Sequence, residues 1–137
     1  MGKAINHQFP HLRGREIEIW QRFLALHPDR FTSLNYDVRV GQGIEFPGST
    51  TVALKSMAEA LTKQRIDVVS QSGGQTTLIE IAPGAGTDSL GQLLVYRRLW
   101  VEEHATEPLP ALMLVTDVDR PDIRRASEAE GVEMVIV

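Results

Sequence analysis

No cysteine occurs anywhere in the 137 residues. That removes disulfide cross-links, a thiolate nucleophile and any cysteine-based zinc or iron–sulfur centre, and it fits a reducing compartment. No apolar run approaches the ~18–20 residues of a membrane-spanning helix. The opening residues MGKAIN lack the apolar stretch of a secretory signal, and Asn6 stands where N-myristoylation requires Ser or Thr. The expectation is a protein that is neither secreted nor held in a membrane. Nucleotide-binding signatures are also missing: there is no P-loop, and the GAG at 84–86 is too short for a dinucleotide fingerprint. There is no GxSxG nucleophile motif. The four histidines, at 7, 11, 27 and 104, show no metal-ligand spacing; His27, near a helix end, reads as a partner of the helix dipole. Asp117, Asp119 and Asp122 lack the glycine and the remaining ligands of a calcium loop, so they read as helix-start acids.

An excess of cations is missing too. The net charge is −4, and it is unevenly placed. Residues 1–65 hold nine Lys/Arg against six Asp/Glu, whereas residues 66–137 hold five against twelve. A strong stand-alone nucleic-acid binder usually carries a cationic surplus. The exception is the first 15 residues, where Lys3, Arg13, Arg15, His7 and His11 meet no acid. Residues 1–13 read as an arm, either solvated or contacting a phosphate or a partner. Residues 14–137 read as one domain, long enough to bury roughly two-thirds of the unfolded chain's surface.

What is present is a regular alternation of elements, without repeats. Ile17, Trp20, Phe23, Leu24 and His27 recur at helical spacing across 14–27, and Pro28 stops the run. Residues 34–40 alternate as a half-wet strand, followed by a Gly/Pro-rich loop and a short helix over 51–63. Strands over 65–70 and 76–82 flank a Gly73–Gly74 turn. A helix spans 89–104, capped by Asp88 or Ser89 and apolar on more than one side. The apolar stretch 111–118 is a buried strand. Pro121 starts a helix to 130, Gly131 ends it, and VEMVIV is a final strand. The last β-α-β unit predicts a parallel pair, beside an antiparallel hairpin. The fold class is therefore α/β: a mixed central sheet with helices on both faces.

The hairpin has a chemical consequence. A turn centred between Gly73 and Gly74 sets Asp67 directly opposite Glu80, and directly opposed residues share a face with β-carbons about 5 Å apart. A slip of one residue would separate them. Two adjacent carboxylates on a half-buried sheet either raise one pKa or hold a cation. Magnesium, bound by one or two carboxylates plus waters and phosphate oxygens, polarises a phosphoryl group and activates a water. Equally, the two charges can reach solvent or be neutralised by arginine.

The order α-β-β-β-α-β, with an acid on one hairpin strand and Glu-x-x on the next, resembles the PD-(D/E)XK nuclease superfamily over roughly residues 14–137, with an extra C-terminal αβ. Ile66–Asp67 is similar to its first motif and Glu80-Ile81-Ala82 to its second. GQLLVYRRLW is similar to the helix that follows, in which Gln92 and Tyr96 stand four apart as supporting residues, with Arg97 next to them. The stretch GAGTDSLGQLLVYRRL resembles small members found among bacteriophage proteins, which implies a cytoplasmic or virion-associated protein. The resemblance implies Mg²⁺ or Mn²⁺ held by Asp67 and Glu80, with Glu16 of the first helix as a third acid; as a plain alternative, Glu16 serves the helix N-terminus.

The departure is Ala82, where the family carries a lysine that positions the attacking water. Under the same register Arg65 faces Ala82, and Lys63 lies two residues further out. Either could replace the lost cation, although arginine is a poor base; alternatively Arg65 is a structural counter-ion to both acids. Arg97 and Arg98 could line a phosphate groove, or Arg98 could pair with Glu102 four residues on.

Three readings follow. The first is a degenerate, inactive nuclease-like subunit of a virion or other nucleoprotein assembly, without cofactor, bound to protein partners or to itself, with DNA as a further partner. The second is a metal-dependent DNA nuclease. The third is an unrelated regulatory binding module, which predicts that Asp67 and Glu80 lie apart.

Overall fold

The computed structural model of the chain describes Phe9 and residues 11–42 and 64–137. The expected helix over 51–63, and with it Lys63, lies outside the described residues.

The elements run α1 (Arg15–Leu26), β1 (Ser33–Val40), β2 (Gln64–Ser72), β3 (Gln75–Ile81), α2 (Thr87–Glu103), β4 (Ala111–Thr116), α3 (Pro121–Ala129) and β5 (Val132–Ile136). The strands form one mixed sheet in the order β1-β2-β3-β4-β5. The β1–β2 and β2–β3 pairs are antiparallel; β3–β4 and β4–β5 are parallel. The sheet changes direction where the connections lengthen: a two-glycine turn can only return an antiparallel strand, whereas α2 and α3 carry the chain back to start parallel ones. Gly73 and Gly74 both have positive φ, 58° and 81°, the conformation of a tight hairpin turn that excludes most side chains.

Each sheet face buries a separate apolar layer. On one face Ile19, Trp20 and Phe23 of α1 pack on Val68, Ile79, Ile81, Met113 and Val115. Ile19 takes the fully buried position that helical spacing alone gives to Ile17, which is only half-buried. Trp20 stacks on Phe23 with ring centroids 5.0 Å apart, and its indole N–H donates to the Tyr36 hydroxyl at 3.0 Å. Phe9 and Leu12, from the segment read as an arm, are buried in this same layer. On the other face Leu90, Leu93, Tyr96 and Trp100 of α2 cover Leu78, Leu112 and Leu114, with Ile123 of α3 at the margin. The stop at His27 has a packing reason besides the dipole: its ring lies 4.8 Å from Phe23. α2 begins without a side-chain cap, after Gly86, so neither Asp88 nor Ser89 serves as its cap. No described helix is long and apolar enough to cross a membrane.

One irregularity organises the rest. In an unbroken strand, residues 34, 36, 38 and 40 would share a face. Leu34 and Tyr36 instead pack in the α1 layer, and Val38 and Val40 in the α2 layer. β2 switches in the same place, with Val68 on the α1 side and Ile66 on the α2 side. Between these residues the ladder passes from Tyr36↔Val68 to Val38↔Ile66 and omits the opposed pair Asp37 and Asp67. Asp37 absorbs the change with φ 56°, alone among the described non-glycine residues in having a positive φ. Aspartate tolerates this conformation better than most residues because its short side chain can bond locally; here it accepts two hydrogen bonds from Arg65, both 2.6 Å.

Asp37→Gly and Asp37→Ala both remove the arginine contact, but only alanine keeps a Cβ in the left-handed region. Asp37→Ala is therefore expected to be less stable than Asp37→Gly by about 1 kcal/mol, measured by urea unfolding. Equal stabilities would mean that the switch in β1 is not held by left-handed backbone.

Candidate functional site

The hairpin register is the one the Gly-Gly turn dictates. Val68↔Ile79, Val69↔Leu78 and Ser70↔Thr77 are paired, symmetric about Gly73 and Gly74. The ladder ends at Val68↔Ile79, and the next opposed pair is Asp67 and Glu80. Their side chains interact, and the Asp67 charge acts on Glu80. The two acids are thus brought together.

Past that point β2 leaves β3. It stays paired with β1 as far as Val40↔Gln64, and the Ala82 N–H turns to Val115 of β4 at 3.0 Å. Asp67 fills the opening: its Oδ2 accepts the Ile81 N–H at 2.8 Å. The side chain thereby replaces the backbone carbonyl a continued ladder would supply. This divergence corrects the expectation for Arg65. It does not face Ala82 and does not neutralise Asp67 or Glu80; it sits opposite Arg39 on β1 and grips Asp37. That contact holds the Asp37 carboxyl below the usual carboxylate range, the arginine hydrogen bonds being the chief cause.

The group that meets Asp67 is His11, which sequence reasoning missed. Its Nε2 lies 3.0 Å from Asp67 Oδ1 and donates to it, while Nδ1 is buried without a partner. Phe9 and Leu12, at 4 % exposure each, anchor the segment on either side. That apolar–x–His–apolar spacing was the available signal: a solvated arm has no use for Phe9 and Leu12. Ala82 packs against the α2 layer.

Glu80 is buried, 8 % exposed, and its carboxyl is pushed up to about 9. Burial is the main cause, followed by the Asp67 charge, with a smaller push from Glu16. The Tyr96 hydroxyl, itself buried, acts on the same carboxyl and partly offsets the rise. Tyr96 is driven upward in turn by burial and by the two acids. Glu80 Oε1 is buried with no hydrogen-bond partner. Glu16 takes the helix-terminus role: it accepts the Arg13 N–H at 3.2 Å at the start of α1, and its charge adds a smaller push on Glu80.

The other candidates are elsewhere. Gln92 is exposed while Tyr96 points inward. Arg97 donates to the Glu130 carbonyl at 3.1 Å, at the C-terminus of α3, not to the acid pair. Arg98 makes no ion pair with Glu102; among the described residues none of the ion pairs includes it. Asp117 is no simple helix-start acid: its buried carboxylate accepts the Gly84 N–H at 2.8 Å and pairs with Arg15, tying α1 and the β3–α2 turn to the end of β4.

Among the described residues no group of three or more His, Asp or Glu side chains is arranged to hold a metal ion. At the acid pair both Asp67 oxygens are taken by protein donors; His11 would have to leave Asp67 before a divalent ion could be held there.

No protein-family model matches the chain, and no curated protein matches it. A crystal structure described as a protein of unknown function, AF1548, superimposes with a TM-score of 0.57 at 12% identity, over 88% of this chain and 57% of that one. At that identity the likeness concerns the α/β fold alone, and this chain spans little more than half of that protein.

A carboxyl whose pKa is higher folded than unfolded stabilises the fold fully below its unfolded value, 4.5, and loses that contribution as pH rises toward about 9. Wild-type stability is therefore expected to fall between about pH 5 and pH 9 more steeply than that of Glu80→Gln. Thermal unfolding across that range checks this; parallel curves would show that Glu80 does not ionise with difficulty.

Proposed function

We propose that the chain is a PD-(D/E)XK-like domain that has lost phosphodiester hydrolysis and serves as a binding subunit, in a virion or other nucleoprotein assembly. The carrying observation is the condition of the acid pair. Asp67 and Glu80 meet across β2 and β3, as such a site requires, yet Asp67 is closed off by His11 and the Ile81 N–H. No described cation takes the role of the lysine: Ala82 lies in an apolar layer, and Arg65 belongs to Asp37. An active site needs a group that orients or deprotonates a water and another that stabilises the charge developing on the phosphate. Among the described residues neither function has a side chain free to perform it.

The convergence of the two acids speaks against the unrelated regulatory module, which requires them apart. One observation favours the second reading, a Mg²⁺- or Mn²⁺-dependent DNA nuclease: the buried Oε1 of Glu80 has no hydrogen-bond partner, and a bound cation would satisfy it. In that reading Asp67 and Glu80 hold the ion.

Incubation of supercoiled plasmid with the protein and Mn²⁺ or Mg²⁺ separates the two. The expected outcome is no nicking above a no-protein control. Metal-dependent nicking that Glu80→Ala abolishes would overturn the proposal in favour of the nuclease.

A further inference from the structure

Among the described residues, β1 and β5 each have a neighbouring strand on one side only. A strand edge presents unpaired amides and carbonyls that another strand can bond, and folded proteins blunt such edges with lysine, proline or a local break in the strand. The β1 edge is blunted: Asp37 stands in left-handed backbone, φ 56°, and the ladder skips a pair beside it. The β5 edge is not. β5 pairs with β4 without interruption from Leu112↔Val132 to Thr116↔Ile136. Its sequence VEMVI holds neither lysine nor proline, and none of its residues has a positive φ.

The pairing also shows which groups point outward. The Val137 N–H donates to the Thr116 carbonyl at 2.9 Å. Alternate residues of a strand bond to the same neighbour, so Glu133 and Val135 face β4 as well. The backbone groups of Val132, Met134 and Ile136 therefore point out of the sheet. Their side chains share one face by the same alternation, the α2 face on which Val132 is buried. Ile136 at the end of this row is 39 % exposed. Glu133, on the other face, is already bonded by Arg30 at 2.6 Å, so the one charge of the strand is met within its own chain.

A row of outward amides and carbonyls selects an extended strand over a helix or a compact ligand. The sequence of β5 selects a second β5. Antiparallel pairing about a twofold axis at Met134 sets Met134 opposite its own copy and Val132 opposite Ile136. This register brings every outward residue against an outward residue, the condition for exchanging both hydrogen bonds. On the α2 face each opposed pair is apolar, and on the α1 face Glu133 meets Val135, so no like charges are opposed. Pairing of β5 with the β1 edge of another copy would instead build an open filament, and the break at Asp37 denies it a regular strand to follow.

We propose that β5 is a dimerisation edge, through which two copies of the chain join antiparallel, with the twofold axis at Met134, into one continuous sheet. The strands are short, so the affinity is modest, with Kd in the range of about 1–100 μM. The proposal does not depend on the state of the acid pair.

Sedimentation velocity of the full chain across a concentration series tests it. Met134→Lys and Met134→Glu each oppose like charges across the axis, whereas an equimolar mixture of the two opposes unlike charges. Ile136→Lys, at an exposed position opposite Val132, is a further variant that leaves the axis intact, and circular dichroism verifies the fold of each. The expected result is a reversible monomer–dimer equilibrium in the wild type, at least about a tenfold weakening in each of the three variants alone, and a dimer regained in the mixture. Four results overturn the proposal: a wild type that is monomeric at about 1 mM, a dimer left unchanged by Ile136→Lys or by either Met134 variant, folded Met134 variants whose mixture stays monomeric, or growth beyond a dimer.

Discussion

The opposed aspartates of β1 and β2 set the geometry of this domain. Where Asp37 faces Asp67, both strands exchange their inner and outer faces within one residue. A β-strand alternates its side chains with period two, so without that exchange Val38, Val40 and Ile66 would remain on the α1 side and leave the α2 layer incomplete. With it, each half of the two strands contributes to a different core. The exchange also takes Asp67 out of the ladder. Its carboxylate is then free to accept the Ile81 N–H and to stand beside Glu80. One local change of backbone thus serves packing on both faces and creates the polar site between them.

Like charges opposed on neighbouring strands are destabilising, and three acids, Asp37, Asp67 and Glu80, fall in one row across β1, β2 and β3. Each is handled differently. Asp37 is ionised and held by Arg65. Asp67 is bonded by His11 and a backbone amide. Glu80, the most deeply buried, has no cation of its own and keeps its proton instead. Neutralising a buried acid by protonation costs less than burying its charge unpaired. A protonated carboxyl needs no cation to remain inside, which lets Glu80 stay buried beside Asp67.

The sequence revealed the parts of this arrangement that follow from short-range rules. Gly73–Gly74 fixes a two-residue turn, the turn fixes the register, and the register brings Asp67 to Glu80. The five strands and three described helices follow from periodicity and from Pro28, Pro121 and Gly131. The failure at Arg65 came from extending that register three residues beyond its end, since nothing local tells that β2 leaves β3 after Val68. The left-handed Asp37 was likewise illegible, because aspartate in the run LNYDVRV reads as an ordinary outward strand residue. His11 depended on tertiary docking of Phe9 and Leu12. Arg98 and Glu102 have ideal helical spacing, yet such surface pairs gain only about 0.3–0.5 kcal/mol, too little to fix two long side chains against other demands.

The two sides of α2 now have contrasting character, and the contrast limits how the protein can bind. Inward, Tyr96 acts on Glu80 in a dry layer where an added charge is expensive. Outward, Arg98 sits on a solvated surface where charge is cheap and its partner is absent among the described residues. A ligand drawn by charge gains most at a group that is still ionised and only partly desolvated. Glu80 is neutral and Asp67 is already bonded, so the acid pair offers little long-range attraction of either sign.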